Sequence, residues 1–149
     1  MTVTLPQVRA ILDPEEPNYS LVKPLGPAAL PILEQLIHGP DQMLASKATY
    51  AAALIGGAGA AAVVLQAANS PNPAIRVAAA HAATQVADPH ITPVLLHLLD
   101  DRDSGVRRQA LRAAARRADP ALHARLQKLI TSDHDPGLRK EASKLLKTP

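Results

Sequence analysis

Apolar positions recur along the chain with a step of 31 residues. Aliphatic side chains return at three places in each step, and the spacing of three and four residues between these places is typical of one buried helix face. The repeated positions are Leu33, Val64, Leu95 and Leu126; Leu36, Ala67, Leu98 and Leu129; and Ile37, Ala68, Leu99 and Ile130. The pattern predicts a helix at the same place in each of four consecutive units.

Helix breakers recur with the same step. They are Gly26-Pro27, Gly57-Ala58, Asp88-Pro89 and Asp119-Pro120. They divide one domain, residues 1–149, into four repeats at 26–56, 57–87, 88–118 and 119–149. The first 25 residues form a shorter unit, with a helix near Leu5–Leu12 and a turn or short helix at Tyr19–Val22. Because the ends of stacked repeats need an atypical covering unit, we interpret residues 1–25 as an N-terminal cap.

A second helix is predicted in each repeat, after the turn that ends the first. Its apolar anchors are Leu44, Ile75, Val106 and Leu138. Three residues before the anchors are Asp41, Asn72, Asp103 and Asp135, residue types that cap a helix by accepting free backbone N–H groups. Four residues after the anchors are Ala48, Ala79, Ala110 and Ala142, small enough to let neighbouring helices approach closely.

These helical pairs resemble HEAT repeats, particularly the short bacterial and archaeal repeats related to the HEAT-like repeats of phycobilisome lyases. The residues that carry the resemblance are "NPAIRVAAAHAATQVADP" and "DSGVRRQALRAAARRADP", with first helices such as "LPILEQLI" and "TPVLLHLL". The resemblance covers about residues 26–149. It implies an all-α fold, a right-handed α-α superhelix (α-solenoid) of about four 31-residue helical hairpins plus an N-terminal capping segment.

Composition agrees with close-packed helices. The 149 residues include no Phe, no Trp and only two Tyr, so small and aliphatic side chains must fill the core. There is no Cys, which excludes disulfides and thiolate metal sites. Charge is uneven: residues 1–99 hold four Lys or Arg and six Asp or Glu, a net of −2. Residues 100–149 hold twelve and seven, a net of +5.

One set of arginines follows the anchors directly. Arg76, Arg107 and Arg139 each stand four residues after a capping Asn or Asp, a separation at which opposite charges face each other along a helix. The resemblance implies an Asp–Arg ladder across the stacked repeats. We therefore expect a structural ladder made of Arg76, Arg107, Arg139, Asp103 and Asp135. The first repeat departs from this pattern because Ala45 occupies the arginine position.

A second set lies on one face of the second helices, which line the concave surface in proteins of this resemblance. Arg108 and Arg112, with Arg116 beyond them, are matched one repeat later by Lys140 and Lys144. The corresponding residues of the earlier repeats are Ser46 and Tyr50, then Val77 and His81. We expect a partner to bind at Tyr50, His81, Arg108, Arg112, Lys140 and Lys144. A solvated charged face is the alternative.

Motifs for catalysis or cofactor binding are weak. No two of the six histidines have the His-x-x-x-His spacing of metal ligands, and His81 and His97 would converge only through a favourable packing of the helices. The segment "SDHD" (132–135) contains triad residue types, but consecutive residues cannot adopt triad geometry. "GGAG" (56–59) lacks the Lys and Ser/Thr of a phosphate-binding loop. We expect no catalytic residue, no metal and no cofactor.

Targeting signals are also weak. The N-terminus lacks the apolar run of a signal peptide, and the uncharged segment 48–68 is Ala-rich and broken by glycines. We therefore expect no membrane association and a cytoplasmic location.

Three functions remain open on the sequence. The first is a non-catalytic scaffold or adaptor that binds an extended or helical protein segment along its concave face. The second is phosphate or nucleic-acid binding through the C-terminal basic patch, against which the scarcity of aromatic residues counts. The third, an accessory subunit of a tetrapyrrole–protein lyase, is implied only by the resemblance.

Overall fold

Helices and turns account for the fold of the described chain. The computed structural model describes residues 2–87 and 89–147. Within them the α-helices are α1 (Leu5–Leu12), α2 (Leu30–Ile37), α3 (Gln42–Ile55), α4 (Gly57–Ala68), α5 (Pro73–Ala82), α6 (Thr92–Leu99), α7 (Ser104–Ala115), α8 (Pro120–Ser132) and α9 (Pro136–Lys147). Short 3₁₀ turns lie at Tyr19–Leu21, Lys23–Leu25, Pro27–Ala29, Ala83–Gln85 and Pro89–Ile91. The described residues include no strand, so the all-α prediction is confirmed.

The helices stack in two layers. The first helices of the hairpins, α2, α4, α6 and α8, contact one another in succession, and so do the second helices, α3, α5, α7 and α9. Each frame of the 31-residue pattern therefore holds one helical hairpin. This is the arrangement of an α-solenoid, in which each repeat buries its apolar face against its neighbours.

The predicted capping residues stand at the start of the second helices, as the sequence predicts. The side chain of Asp41 accepts a hydrogen bond from the Leu44 backbone N–H at 3.0 Å, and that of Asp103 accepts from Val106 N–H at 3.0 Å. Asn72 and Asp135 play the same part in α5 and α9. Each bond satisfies a donor that the first helical turn leaves free, so the second helices begin at fixed points.

Alanine sets the spacing of the second helices. Ala48, Ala79, Ala110 and Ala142 are all fully buried. The first helices contribute larger side chains, and Leu33, Val64, Leu95 and Leu126 line the same core. Small residues in one layer and leucines in the other give a dense interior without any phenylalanine or tryptophan.

Tight turns separate the first two repeats. Gly56 and Gly57 have φ angles of 81° and 82°, a left-handed conformation that glycine adopts most readily. Gly56 is therefore the turn residue between α3 and α4, and the rest of "GGAG" begins α4. Among the described helices, none is long and apolar enough to cross a membrane. The predicted break at Asp88 lies outside the described residues.

Candidate functional site: the second-helix face

A groove of 910 Å³ opens on the solvent side of the second helices, between α3, α5 and the N-terminal segment. We call the whole surface formed by the outward residues of α3, α5, α7 and α9 the second-helix face. Tyr50 and His81, two of the predicted partner-binding residues, line the groove. Tyr19, Met43 and Ala78 complete its apolar wall. The groove is thus at the end of the face that carries little charge.

The aromatic rings of the groove hold one another in place. The Tyr19 ring meets the Tyr50 ring edge-on, with centroids 4.8 Å apart and planes at 70°. Tyr50 in turn stacks on His81, with centroids 5.7 Å apart and planes at 17°. Burial raises the pKa of the Tyr19 hydroxyl, and the nearby Tyr50 hydroxyl raises it further. These rings form a fixed platform because each restrains the rotation of the next.

Lys47 connects the N-terminal cap to this platform. Its Nζ donates hydrogen bonds to the carbonyl oxygens of Leu12 at 3.1 Å and Pro14 at 2.8 Å, at the end of α1. A cation is favourable there because a helix C-terminus presents free carbonyls. The bond holds the segment that brings Tyr19 to Tyr50. The sequence prediction missed both Lys47 and Tyr19, although the chain's two tyrosines were its natural candidates for an aromatic pair.

The basic end of the second-helix face contains carboxylates that the prediction omitted. Arg112 donates to Glu141 through Nε at 3.0 Å and Nη2 at 2.9 Å. Arg108 lies 3.7 Å from carboxylate oxygens of both Asp135 and Glu141. The hydrogen bond from Arg112 holds the pKa of Glu141 below its ordinary value, and the same bond raises the pKa of Arg112. Arg108 and Arg112 are therefore paired within the chain.

The two predicted lysines lie on the exposed side of α9. Lys140 and Lys144 are both solvent-exposed, one turn apart. Arg116 lies apart from this group because it follows α7 as its C-terminal cap. It borders a different cleft, with Pro89 and Asp119. The i, i+4, i+8 row of arginines is thus interrupted where the helix ends.

The ladder arginines pair with a different set of aspartates from the one expected. Arg76, whose side chain is 5% exposed, donates from Nε to Asp101 at 2.8 Å. Arg107 donates from Nε to Asp133 at 2.9 Å. The expectation that placed Asp103 and Asp135 in these pairs is corrected. Their carboxylates cap α7 and α9, so the partners stand two residues earlier in the turn.

Each ladder arginine also fastens the turn of its own repeat. Nη1 of Arg76 donates to the Ser70 carbonyl at 2.9 Å, and Nη1 of Arg107 donates to the Asp101 carbonyl at 3.0 Å. Arg139 donates in the same way to the Asp133 carbonyl. No carboxylate of a following repeat faces Arg139 within the described residues. The repeated unit is therefore an arginine that joins two successive turns.

The pKa of Asp133 reflects these contacts. Burial by itself raises the pKa of this carboxyl. Hydrogen bonds from Arg107 and from the Asp135 backbone N–H, with the charges of Arg107 and His134, outweigh burial and leave the pKa below its ordinary value. Asp133 is therefore held ionised against Arg107.

The remaining chemical candidates have structural roles. In "SDHD", Asp133 pairs with Arg107, Asp135 caps α9, and the Ser132 hydroxyl donates to the Lys128 carbonyl at 2.6 Å. His81 lies in the aromatic groove and His97 borders a separate cleft at the turn edge. Among the residues that the structure describes, no three His, Asp or Glu side chains are grouped to hold a metal ion.

Proteins of known structure share this architecture. A chain from the structure of the complex of CpcE and CpcF of phycocyanin lyase from Nostoc sp. PCC7120 superimposes with a TM-score of 0.70 at 19% identity. The match covers 95% of this chain and 97% of that chain, and at this identity it shows a shared fold. No curated protein sequence matches. A sequence profile of HEAT repeats matches residues 61–147, more than half of the chain, and this protein belongs to the HEAT-repeat family.

Proposed function

We propose that this protein is a non-catalytic adaptor that binds a segment of another protein along its second-helix face. The observation that carries the proposal is the 910 Å³ groove with its preformed ring platform of Tyr19, Tyr50 and His81. Rigid aromatic groups bind protein side chains well because little conformational entropy is lost on contact.

The exposure of Met43 supports the same site. Its side chain is 66% exposed at the rim of the groove, more than that of any other large apolar residue in the described chain. A flexible thioether beside a fixed aromatic wall can adapt to a range of apolar partners. Neither Met43 nor His81 is needed to fill the core.

Capture of partners from an extract of the native cells tests the proposal. Immobilised wild-type protein is compared with His81→Asp and Met43→Asp, which place charge in the groove while leaving the core intact. Leu65→Asp is the matched control, because Leu65 is exposed on α4, outside the groove. We expect proteins that the wild type and the Leu65 variant retain and the two groove variants lose. Equal retention by all four proteins would refute a groove-directed adaptor.

Nucleic-acid binding is a weaker candidate on this surface. The chain has no Trp, no Phe and only two Tyr, so few side chains could stack on bases. Binding through phosphates would fall steeply with salt. A gel-shift assay with RNA and DNA at low salt, repeated at higher salt, measures this directly.

A lyase-associated role is the second candidate, favoured by the similarity to a chain of the CpcE–CpcF complex over nearly the full length of both. In that role the aromatic groove would hold the flat apolar face of a linear tetrapyrrole. Titration with a linear tetrapyrrole, followed by its visible absorbance, tests the idea. A spectral change that His81→Asp abolishes would support it over the adaptor function.

A further inference from the structure

The second-helix face has two chemically different ends, and we infer that its partner segment has two matching parts. This inference rests on the proposed adaptor function and specifies the partner. One part is an apolar or aromatic side chain that enters the groove between α3 and α5. The other is a small group of Asp or Glu residues that meets Arg108, Arg112 and Lys140.

The fold fixes the distance between the two parts. The groove lies between α3 and α5, and the basic end lies between α7 and α9, two second helices further along. Packed helices are separated by about 8–10 Å, so the two centres are roughly 16–20 Å apart. A partner helix rises 1.5 Å per residue and would place its anchor and its acids about 11–13 residues apart. An extended segment would need about five or six residues.

The groove end selects an apolar group. The Tyr19 and Tyr50 rings, Met43 and Ala78 form its apolar wall. The two charged residues that also line it are already engaged, Asp41 as the cap of α3 and Lys47 with the carbonyls of the N-terminal cap. An incoming charge would therefore find no free partner in Lys47. An aromatic or aliphatic side chain would bury apolar surface on both sides.

The basic end selects carboxylates. Arg112 is 53% exposed and binds Glu141 through Nε and Nη2. Its Nη1 donates to no atom of the described chain, so it remains available to a second acceptor. Lys140 precedes Glu141 on α9, is exposed, and forms no ion pair within the described residues. The pairing with Glu141 shows that the Arg112 guanidinium can bind a carboxylate. It also holds the guanidinium toward solvent, where a carboxylate of the partner could reach it.

The absence of tryptophan from the chain gives a direct assay. The probe is a synthetic helical peptide with one Trp and two adjacent Glu residues about twelve positions away, a spacing set by the helical rise. Trp emission should shift to the blue as the ring enters the groove. Three control peptides carry Lys in place of the Glu pair, Ala in place of the Trp (followed by competition), or half the spacing.

We expect the matched peptide to bind at least about tenfold more tightly than the Lys or half-spacing peptide, corresponding to about 1.4 kcal/mol or more. The double variant R112A/K140E should lose this preference and keep its binding to Trp. Its circular dichroism should match the wild type, because both side chains are exposed. Binding should weaken with salt only for the peptide with Glu.

The outcomes separate the inference from the function on which it rests. If groove variants weaken all peptides alike while the charge of the peptide has no effect, the adaptor function stands and the two-part partner is wrong. If none of the peptides binds, or if an RNA oligonucleotide displaces the matched peptide at equimolar concentration, the two-part protein partner is likewise overturned. Only a charge-dependent and spacing-dependent preference supports it.

Discussion

Between the first two repeats, Ala45 stands at the position of Arg107 and Ser70 stands at the position of Asp133. Arg107 and Asp133 themselves lie at the junction of the last two repeats. Within the described part of the chain the first junction is buried and contains no ion pair, and Asn72 donates a 2.7 Å hydrogen bond to Gln42 at the surface. The last junction contains a nearly buried ion pair.

The comparison shows that the repeat geometry does not depend on the ladder. Close packing of alanines is sufficient at the N-terminal end, where the segment 48–68 carries no charge. At the C-terminal end the helices carry more charge, and paired side chains join the turns. The end with less charge is also where the groove lies, so the chemistry of the junctions and that of the second-helix face change together.

The largest loss of stability is expected from breaking the most buried arginine–aspartate pair of the ladder. Arg76→Ala would leave the carboxylate of Asp101, which is 6% exposed, without its counter-ion. Removing one member of a buried pair destabilises by about 3–5 kcal/mol. Urea denaturation followed by circular dichroism at 222 nm measures this loss. Arg139→Ala, which lacks a carboxylate partner among the described residues, is the control and should lose much less.

Introducing an arginine–aspartate pair at the first junction should give two substitutions whose effects on stability are strongly coupled. Ala45→Arg alone places a cation at a fully buried position and should destabilise by about 3 kcal/mol or more. Adding Ser70→Asp supplies the missing carboxylate, and we expect the pair to recover at least about 1 kcal/mol. Additive effects in this double-mutant cycle would mean that the first junction is closed to an ion pair.

Acid should weaken the C-terminal junction selectively. The pKa of Asp133 is lower in the folded protein than its ordinary value of 3.8, so below that value the unfolded chain binds more protons. Stability from this group is thus present above about pH 4 and is lost as pH falls through the folded pKa. Asp133→Asn should lower stability at neutral pH and flatten the acid dependence. Urea midpoints from pH 6 to pH 2.5 provide the measurement.

The smallest effect on stability is expected on the exposed pair. Arg112 is 53% exposed, and ion pairs at the surface contribute about 0–1 kcal/mol. Arg112→Ala should therefore change the melting temperature little while weakening the binding of an acidic peptide. A large loss of stability would mean that Arg112 has the structural role of the buried ladder arginines.

The fold could be predicted from the sequence because its information is local and repeated. The 31-residue step, the caps at Asp41 and Asp103 and the buried alanines each depend on spacing along the chain. One match of this kind is weak evidence, but their coincidence in four repeats leaves little choice of architecture.

The partners of individual side chains were harder to predict, since they depend on contacts between repeats. Arg107 lies four residues after Asp103, yet its ion pair is with Asp133, 26 residues further on. The Asp103 carboxylate caps α7, whereas Asp133, two positions before the next cap, pairs with Arg107 across the junction. Glu141 was overlooked for the same reason, because its pairing with Arg112 crosses between α7 and α9.

The arginine that joins its own turn to the next also makes this molecule extensible. A chain with residues 88–118 duplicated in tandem would face Arg107 of the first copy with Asp101 of the second, and the new junction would be satisfied at once. The same duplication would add another Arg108 and Arg112 to the second-helix face. The length and charge of the second-helix face could thus be increased in units of 31 residues while the buried arginine–aspartate contacts are kept.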